Sequence, residues 1–272
     1  MVQISDRIKN LAVSATLAMS QKSGELRAAG IDVINMSVGE PDFDTPDFIK
    51  EAAKKAIDDN FSRYTAVAGY QSLREAICAK LKRENNMDFT PAEIVVGNGA
   101  KQELTNAILA TINPGDEVII PVPAWVSYVE MVKLAEGKVV TVHAGVDQDF
   151  KITPTQLEAA ITDKTRMIML NSPSNPTGSI YSYEELKGLA EVLAKYPDIL
   201  ILSDEIYEHI NFVGKDSVHS LYEFESVRDR VMIVNGVSKA YARKDKTRRK
   251  STVIFIVRER STCCQALIQK PA

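Results

Sequence analysis

Short apolar runs separated by amphipathic stretches dominate the chain from Pro91 onward. The runs are EIVVG (93–97), EVIIP (117–121), KVVTV (138–142), RMIML (166–170), ILILS (199–203) and VMIVN (231–235). Each is almost continuously apolar rather than alternating, the pattern of strands buried on both faces of a parallel sheet. Between them, helical spacing predicts helices over 101–112, 125–135, 154–161 and 183–195. Thr153 supplies an N-cap to the third, with Pro154 at its first helical position. Upstream, 47–60 and 71–84 read as helices, the second carrying Leu73, Ile77 and Leu81 on one face. Residues 31–46 (IDVINMSVGEPDFDTP) read as a strand followed by a Gly/Pro-rich loop. Strands alternating with helices predict an α/β three-layer sandwich around a mainly parallel sheet.

Length and composition keep that picture and narrow it. A chain of 272 residues with 45% hydrophobic and 25% charged residues is ordinary globular material, which excludes a disordered, collagen-like or coiled-coil protein. No run of about 18 apolar residues occurs, so no membrane span is predicted. The N-terminus has charges scattered through short apolar stretches and lacks the apolar core of a secretion signal, so the expected compartment is the cytoplasm. Cys78 stands alone, and the adjacent Cys263 and Cys264 match neither a disulfide framework nor a metal spacing. No metal site is expected.

Charge divides the chain. Residues 1–242 hold 24 Lys+Arg against 34 Asp+Glu, whereas residues 243–272 hold 9 against 2. The first part lacks the basic surface that nucleic-acid binding requires, and the tail's RKDKTRRK reads as a solvated charge run.

Candidate chemistry collects after the strands, because ligands of an open parallel sheet sit beyond the strands' carboxyl ends, where the following helices present their N-termini. Gly97-Asn98-Gly99-Ala100-Lys101 follows the first run, Val122-Pro123-Ala124-Trp125 the second, Asn171 to Gly178 the fourth, Asp204-Glu205-Ile206-Tyr207 the fifth and Gly236-Val237-Ser238-Lys239 the sixth. A phosphate-suited turn, an aromatic plate, an amide, a carboxylate with a tyrosine, and a lysine beside a serine are thereby delivered to one edge. Pyridoxal phosphate needs this set: an amine for its Schiff base, an anion at its ring nitrogen, donors at its phenolate oxygen, a stacking ring and a phosphate cradle. The turn GNGAKQ lacks the GxGxxG spacing of a dinucleotide fold.

The strings SVGEPDFDTP (37–46), RYTAVAGYQSLREAI (63–77), GAKQEL (99–104), PAWVSY (123–128), NSPSNPTG (171–178), SDEIYEH (203–209) and NGVSKAYA (235–242) resemble the fold-type I, class I/II pyridoxal-phosphate-dependent aminotransferases, of the aspartate aminotransferase group, over residues 10–242. The resemblance implies an N-terminal arm or small-domain segment over 1–46, a cofactor-binding large domain over 47–242 and a divergent basic tail over 243–272. It implies Lys239 as the Schiff-base lysine and proton shuttle, Asp204 at the ring nitrogen, Tyr207 and Asn175 at the phenolate oxygen, and Trp125 stacked on the ring. Gly99, Ala100, Lys101 and Ser238 would hold the phosphate, and Tyr64 would reach the phosphate of a neighbouring subunit, which implies a homodimer. Gly39, with Trp125 and Asn175, would meet the substrate, an L-amino acid such as aspartate or a 2-oxo acid. His143 and His209 are expected to be structural or surface residues.

After Ala242 the family's M-T-G-W-R-I-G-Y is replaced by Arg243-Lys244-Asp245-Lys246-Thr247-Arg248-Arg249-Lys250. The resemblance implies that no residue inherits the family's next phosphate arginine, and the C-terminal small domain with its carboxylate-gripping arginine is expected to be absent. A reading-frame shift or truncation is expected, with impaired turnover, and the β-prone run 251–257 is expected to take the place of the family's next sheet strand or, unpaired, to aggregate. Two alternatives stand beside the aminotransferase reading: a β-lyase on the same scaffold, and a non-catalytic cofactor-binding fragment.

Overall fold

The computed structural model describes residues 3–12, 15–36, 39–214 and 218–242, together with the backbone of 253–256. Ser37 and Val38 of the first motif, and Arg243, Arg248, Arg249, Cys263 and Cys264 of the tail, lie outside the described residues.

Seven strands form one sheet: β1 (Ile94–Gly97), β2 (Glu117–Val122), β3 (Lys138–His143), β4 (Thr165–Asn171), β5 (Leu200–Asp204), β6 (Val231–Gly236) and β7 (Val253–Ile256). Their spatial order is β1-β7-β6-β5-β4-β2-β3. Neighbours from β6 through β5, β4 and β2 to β3 run parallel, while β7 lies antiparallel between β1 and β6. The expected β-prone run therefore enters the sheet through Val253–Ile256, pairing Val253 with both Gly97 and Gly236.

Side-chain alternation along these strands builds two cores. Ile119, Ile168, Leu170, Ile201 and Ile233 point to one face and pack with the helices α4 (Gln71–Asn85), α7 (Pro154–Ala160) and α8 (Tyr183–Ala194), through Ile77, Leu157, Leu189 and Leu193. Val118, Ile120, Met167, Met169, Met232 and Val234 point to the other and meet α5 (Ala100–Thr111) and α6 (Ser127–Leu134), through Leu104, Ile108 and Val132. Strands buried on both sides account for the continuous apolar runs, and the result is the expected three-layer α/β sandwich.

Local signals set the helix starts. Thr153 and Ser182 accept from the backbone N–H three residues on while Gln156 and Glu185 reach back, closing capping boxes on α7 and α8. The N-terminal part differs from expectation. Among the described residues of 31–46 no strand forms; Ile34 and Met36 are almost fully exposed, and none of these residues pairs with the sheet. The helices α1 (Asp6–Lys9), α2 (Ala15–Ala28) and α3 (Asp47–Asp58) complete this region, and α3 buries no residue.

Candidate active site

A cleft of about 490 Å³ opens beyond the carboxyl ends of β1, β5 and β6. Its size suits a cofactor-sized ligand, for which pockets of about 300–1,000 Å³ are typical. Asp204 ends β5 and lies at the floor, 4% exposed. Its Oδ2 accepts the Tyr128 hydroxyl at 2.6 Å and its Oδ1 the Ile206 N–H at 3.3 Å. Burial pushes the Asp204 carboxyl up to about 6, while the Tyr128 hydroxyl, the Ile206 amide and the Lys239 charge pull it back toward the ionised form. Burial, with Asp204 beside it, drives Tyr128 well above an ordinary phenol, so Tyr128 remains a donor across the physiological range.

One wall is a relay of side chains fixed by backbone. Asn171, closing β4, donates to the Asp204 carbonyl at 2.8 Å and accepts the Asn175 N–H at 2.7 Å. Asn175 in turn reaches the Tyr207 hydroxyl at 3.4 Å. Burial and the Asp204 charge raise the Tyr207 phenol, opposed by the Asn175 hydrogen bond. The three X–Pro peptides 122–123, 172–173 and 175–176 are cis.

Lys239 enters from α9 (Val237–Ala240), directly after β6. Its Nζ donates to the Gly39 carbonyl at 3.2 Å and stands 5.2 Å from the Tyr207 ring centroid. Ser238 lines the same cleft beside it.

The opposite wall is the turn into α5. Gly99 is its N-cap at φ 109°, ψ 146°, a conformation open to glycine and strained for other residues. Ala100 and Lys101, the first two residues of this twelve-residue helix, line the cleft. Unpaired N–H groups at a helix start, with the helix dipole behind them, suit a phosphate. The Lys101 ammonium stands 4.8 Å from the Trp125 ring centroid, and Trp125 meets Tyr128 edge-on at 5.5 Å.

Of the residues singled out from the sequence, Gly39, Gly99, Ala100, Lys101, Trp125 and Asn175 line this cleft, as do Asp204, Tyr207, Ser238 and Lys239. Tyr64 does not: it is fully exposed, away from the cleft. Two lining residues escape the sequence reading, Thr16 and Tyr128. Tyr128 has a signal in its helical spacing of three from Trp125; Thr16 has none. His209 sits among carboxylates instead, its Nε2 3.3 Å from Glu208 and 3.6 Å from Glu84. Among the described residues no helix is long and apolar enough to cross a membrane.

A glycine-capped helix start, a buried carboxylate with its own hydroxyl donor, an aromatic wall and a lysine amine meet the separate demands of pyridoxal phosphate, so these residues fit that group. Fold and site together define a lysine-bearing α/β protein of the pyridoxal-phosphate kind. The family model for aminotransferase class I and II matches residues 31–243, and the chain belongs to that family. It is 52% identical over 241 residues to the aspartate/prephenate aminotransferase of Nitrosomonas europaea, covering 89% of this chain and 61% of that protein. The same-named protein of Cereibacter sphaeroides is likewise 52% identical over 241 residues, covering 89% and 60%. Among solved structures, the aspartate aminotransferase from Rhizobium meliloti superposes with a TM-score of 0.92 at 39% identity, covering 98% of this chain and 66% of that one. The Thermus thermophilus aspartate aminotransferase with maleate gives 0.90 at 38% identity, with 98% and 67% covered. The chain thus spans about 60% of the length of the curated relatives it matches.

Proposed function

We propose that this chain binds pyridoxal 5′-phosphate in the cleft and acts in transamination, moving the amino group of an L-amino acid to a 2-oxo acid. The observation that carries this reading is the convergence of Lys239, Asp204, Tyr207 and the Gly99 turn, from separate sequence segments, on one cleft. When bound, the cofactor supplies an electron sink for the pair left at the substrate Cα.

The chain's own residues do the rest. Lys239 Nζ holds the cofactor's carbon end and then takes and returns the proton at the substrate Cα as general base and acid. Asp204 offers a negative charge to the ring nitrogen from a floor that excludes water. Tyr207 and Asn175 would donate to the phenolate oxygen, Trp125 would stack against the ring, and the Ala100 and Lys101 amides with the Ser238 hydroxyl would hold the phosphate. Gly39, on the segment over Lys239, borders the substrate side with Trp125 and Asn175. The names of the relatives support aspartate among the amino donors. Tyr64, exposed at the surface, is assigned to the phosphate of a second subunit in a homodimer on the family resemblance. A cytoplasmic location accompanies this reading, and the three proposed units are the arm over 1–46, the large domain over 47–242 and the tail over 243–272.

The test is an absorbance spectrum of the protein with added pyridoxal phosphate, before and after L-aspartate or L-glutamate, beside Lys239→Ala. A band that depends on Lys239 and changes on adding amino acid, with an oxo acid as product, supports transamination. Ammonia and pyruvate as products would replace it with β-elimination. A band that ignores amino acids would leave a cofactor-binding fragment, and no band would overturn the reading.

A further inference from the structure

Asp204 is only 4% exposed, yet its use in the cleft requires it charged and correctly aimed. A buried carboxylate without partners takes up a proton rather than stay charged. The groups facing it are few. From α6 comes the Tyr128 hydroxyl at 2.6 Å, from the segment after β5 the Ile206 amide at 3.3 Å and the Tyr207 ring, and from α9 the Lys239 charge. Asn171 of β4 holds the Asp204 carbonyl and not its carboxylate. The Glu205 carboxylate next along the chain is turned away, toward the Ser203 and Ser220 hydroxyls.

Among these, Tyr128 has the shortest contact and the most rigid seat. It is 2% exposed, lies within the core cluster of α5 and α6, and is braced edge-on by Trp125. Lys239 is a poor permanent counter-ion, because its amine is committed to the cofactor and the moving proton in the function proposed above. The Ile206 amide is neutral and its contact is long. A short O–H···O⁻ bond in a dry site is worth about twice a neutral one.

We propose that Tyr128 is a positioning residue for Asp204: its buried hydroxyl fixes one carboxylate oxygen in place and keeps Asp204 a charged acceptor at the cleft floor after Lys239 has turned to the substrate. The proposal rests on the cofactor reading for its purpose but not for its test. Tyr128 touches no reacting atom; it acts through Asp204 and, through the Trp125 contact, ties the charged floor to the aromatic wall.

The experiment compares wild type and Tyr128→Phe, which keeps the ring and removes only the oxygen. In the cofactor-free protein with ¹³C-labelled aspartate, the Asp204 carboxyl signal, assigned with Asp204→Asn, is titrated. Its midpoint is expected to move up by about one to two pH units in Tyr128→Phe, as loss of a hydrogen bond to a charged group implies. Pyridoxal-phosphate affinity at neutral pH is expected to fall about tenfold, and the pH dependence of the bound-cofactor absorbance to move with the same midpoint. A cycle adds Asp204→Asn alone and with Tyr128→Phe: if Tyr128 acts through the charge, the second change costs little affinity once Asp204 is replaced by an amide. An unmoved midpoint overturns the proposal, and so does a full, additive loss in the Asp204→Asn background, which would mean that Tyr128 merely packs. If wild type forms no Lys239-dependent band, the functional reading fails, while the titration of the cofactor-free protein still decides whether Tyr128 governs Asp204.

Discussion

Lys239 and Gly39 stand 200 residues apart in sequence and 3.2 Å apart in space, amine to carbonyl. The segment carrying Gly39 is tethered on both sides: the Ala12 N–H donates to Glu130 of α6 at 2.8 Å, and the Thr45 hydroxyl donates to the Ala242 carbonyl at 2.8 Å. The N-terminal part is thus strapped across the lysine by contacts to α6 and to the chain just after α9. Removing the amine takes away its hydrogen bond to the Gly39 carbonyl, and a typical hydrogen bond contributes about 1 kcal/mol net. Lys239→Ala is therefore expected to melt within a few degrees of wild type while losing the absorbance band formed with pyridoxal phosphate. Retention of the band in that variant would remove Lys239 from its role.

Gly99 makes a different prediction. At φ 109°, ψ 146° a side chain costs about 1–3 kcal/mol of strain, and relief of that strain rotates the first amides of α5 away from the cleft. Gly99→Ala is expected to lower stability by that amount and to weaken pyridoxal-phosphate binding, with pyridoxal, which lacks the phosphate, affected less. Gly24→Ala is the control: it lies inside α2, nothing stands within 4 Å of the added carbon, and an alanine there favours the helix. Calorimetry with both ligands separates strain from phosphate contact.

The Lys80–Glu208 ion pair predicts an acid dependence. Glu208 is 7% exposed in its side chain, paired with Lys80, and accepts from Asn85 at 2.8 Å. Burial opposes its charge, but His209, Lys80 and Asn85 together hold its carboxyl down at about 2, against 4.5 for an ordinary glutamate. A carboxyl depressed on folding stabilises above its unfolded value, and that contribution is lost as pH falls from about 4.5 toward 2. Glu208→Gln is expected to cost about 2–3 kcal/mol at neutral pH, because largely buried Lys80 loses its buried counter-charge and keeps only Glu84 at 3.6 Å and the Asn85 amide oxygen at 2.8 Å. The gap between the two proteins should begin to shrink below about pH 4.5 and close only as pH approaches about 2 in denaturant titrations.

The strands are legible because burial on both faces writes a continuous apolar run, and most of the cleft residues because they follow such a run by one to five positions. Asp204, Lys239 and Gly99 need no more than that rule. What stays hidden depends on partners remote in sequence. Tyr128 meets Asp204 across 76 residues, and Lys80 meets Glu208 across 128, and no local spacing reports either contact. The helix α2 leaves no trace in the pattern because its apolar positions form no stripe: Leu17 and Met19 are exposed, whereas Ser23 is buried. Residues 31–36 have strand-like composition but no neighbouring edge to pair with, and composition alone does not make a strand.

Glu205 supplies the opposite pH sign within the same fold. It is enclosed beside β5, accepting the Ser203 hydroxyl at 2.8 Å and the Ser220 hydroxyl at 2.6 Å. Burial outweighs those two bonds and the more distant Lys80 charge, and with Glu208 adding repulsion the carboxyl is pushed up to about 7 from 4.5. A carboxyl raised on folding keeps a proton that the unfolded chain has already lost, so its contribution falls as pH rises from about 4.5 to 7. The full difference is roughly 3 kcal/mol at the upper end of that window. Asp204, raised to about 6, adds a slope of the same sign but a shorter range. Glu205→Gln keeps the shape and an acceptor for the serine hydroxyls while removing the ionisation. It is expected to be more stable than wild type at pH 8, to lose that advantage by pH 5, and to keep the part of the slope that belongs to Asp204. Urea denaturation at unit steps between these values measures the change, and an unaltered slope in Glu205→Gln would place the titration elsewhere. Because Glu208 acts below pH 4.5 and Glu205 above it, the two variants alter opposite limbs of one stability curve, and neither can imitate the other.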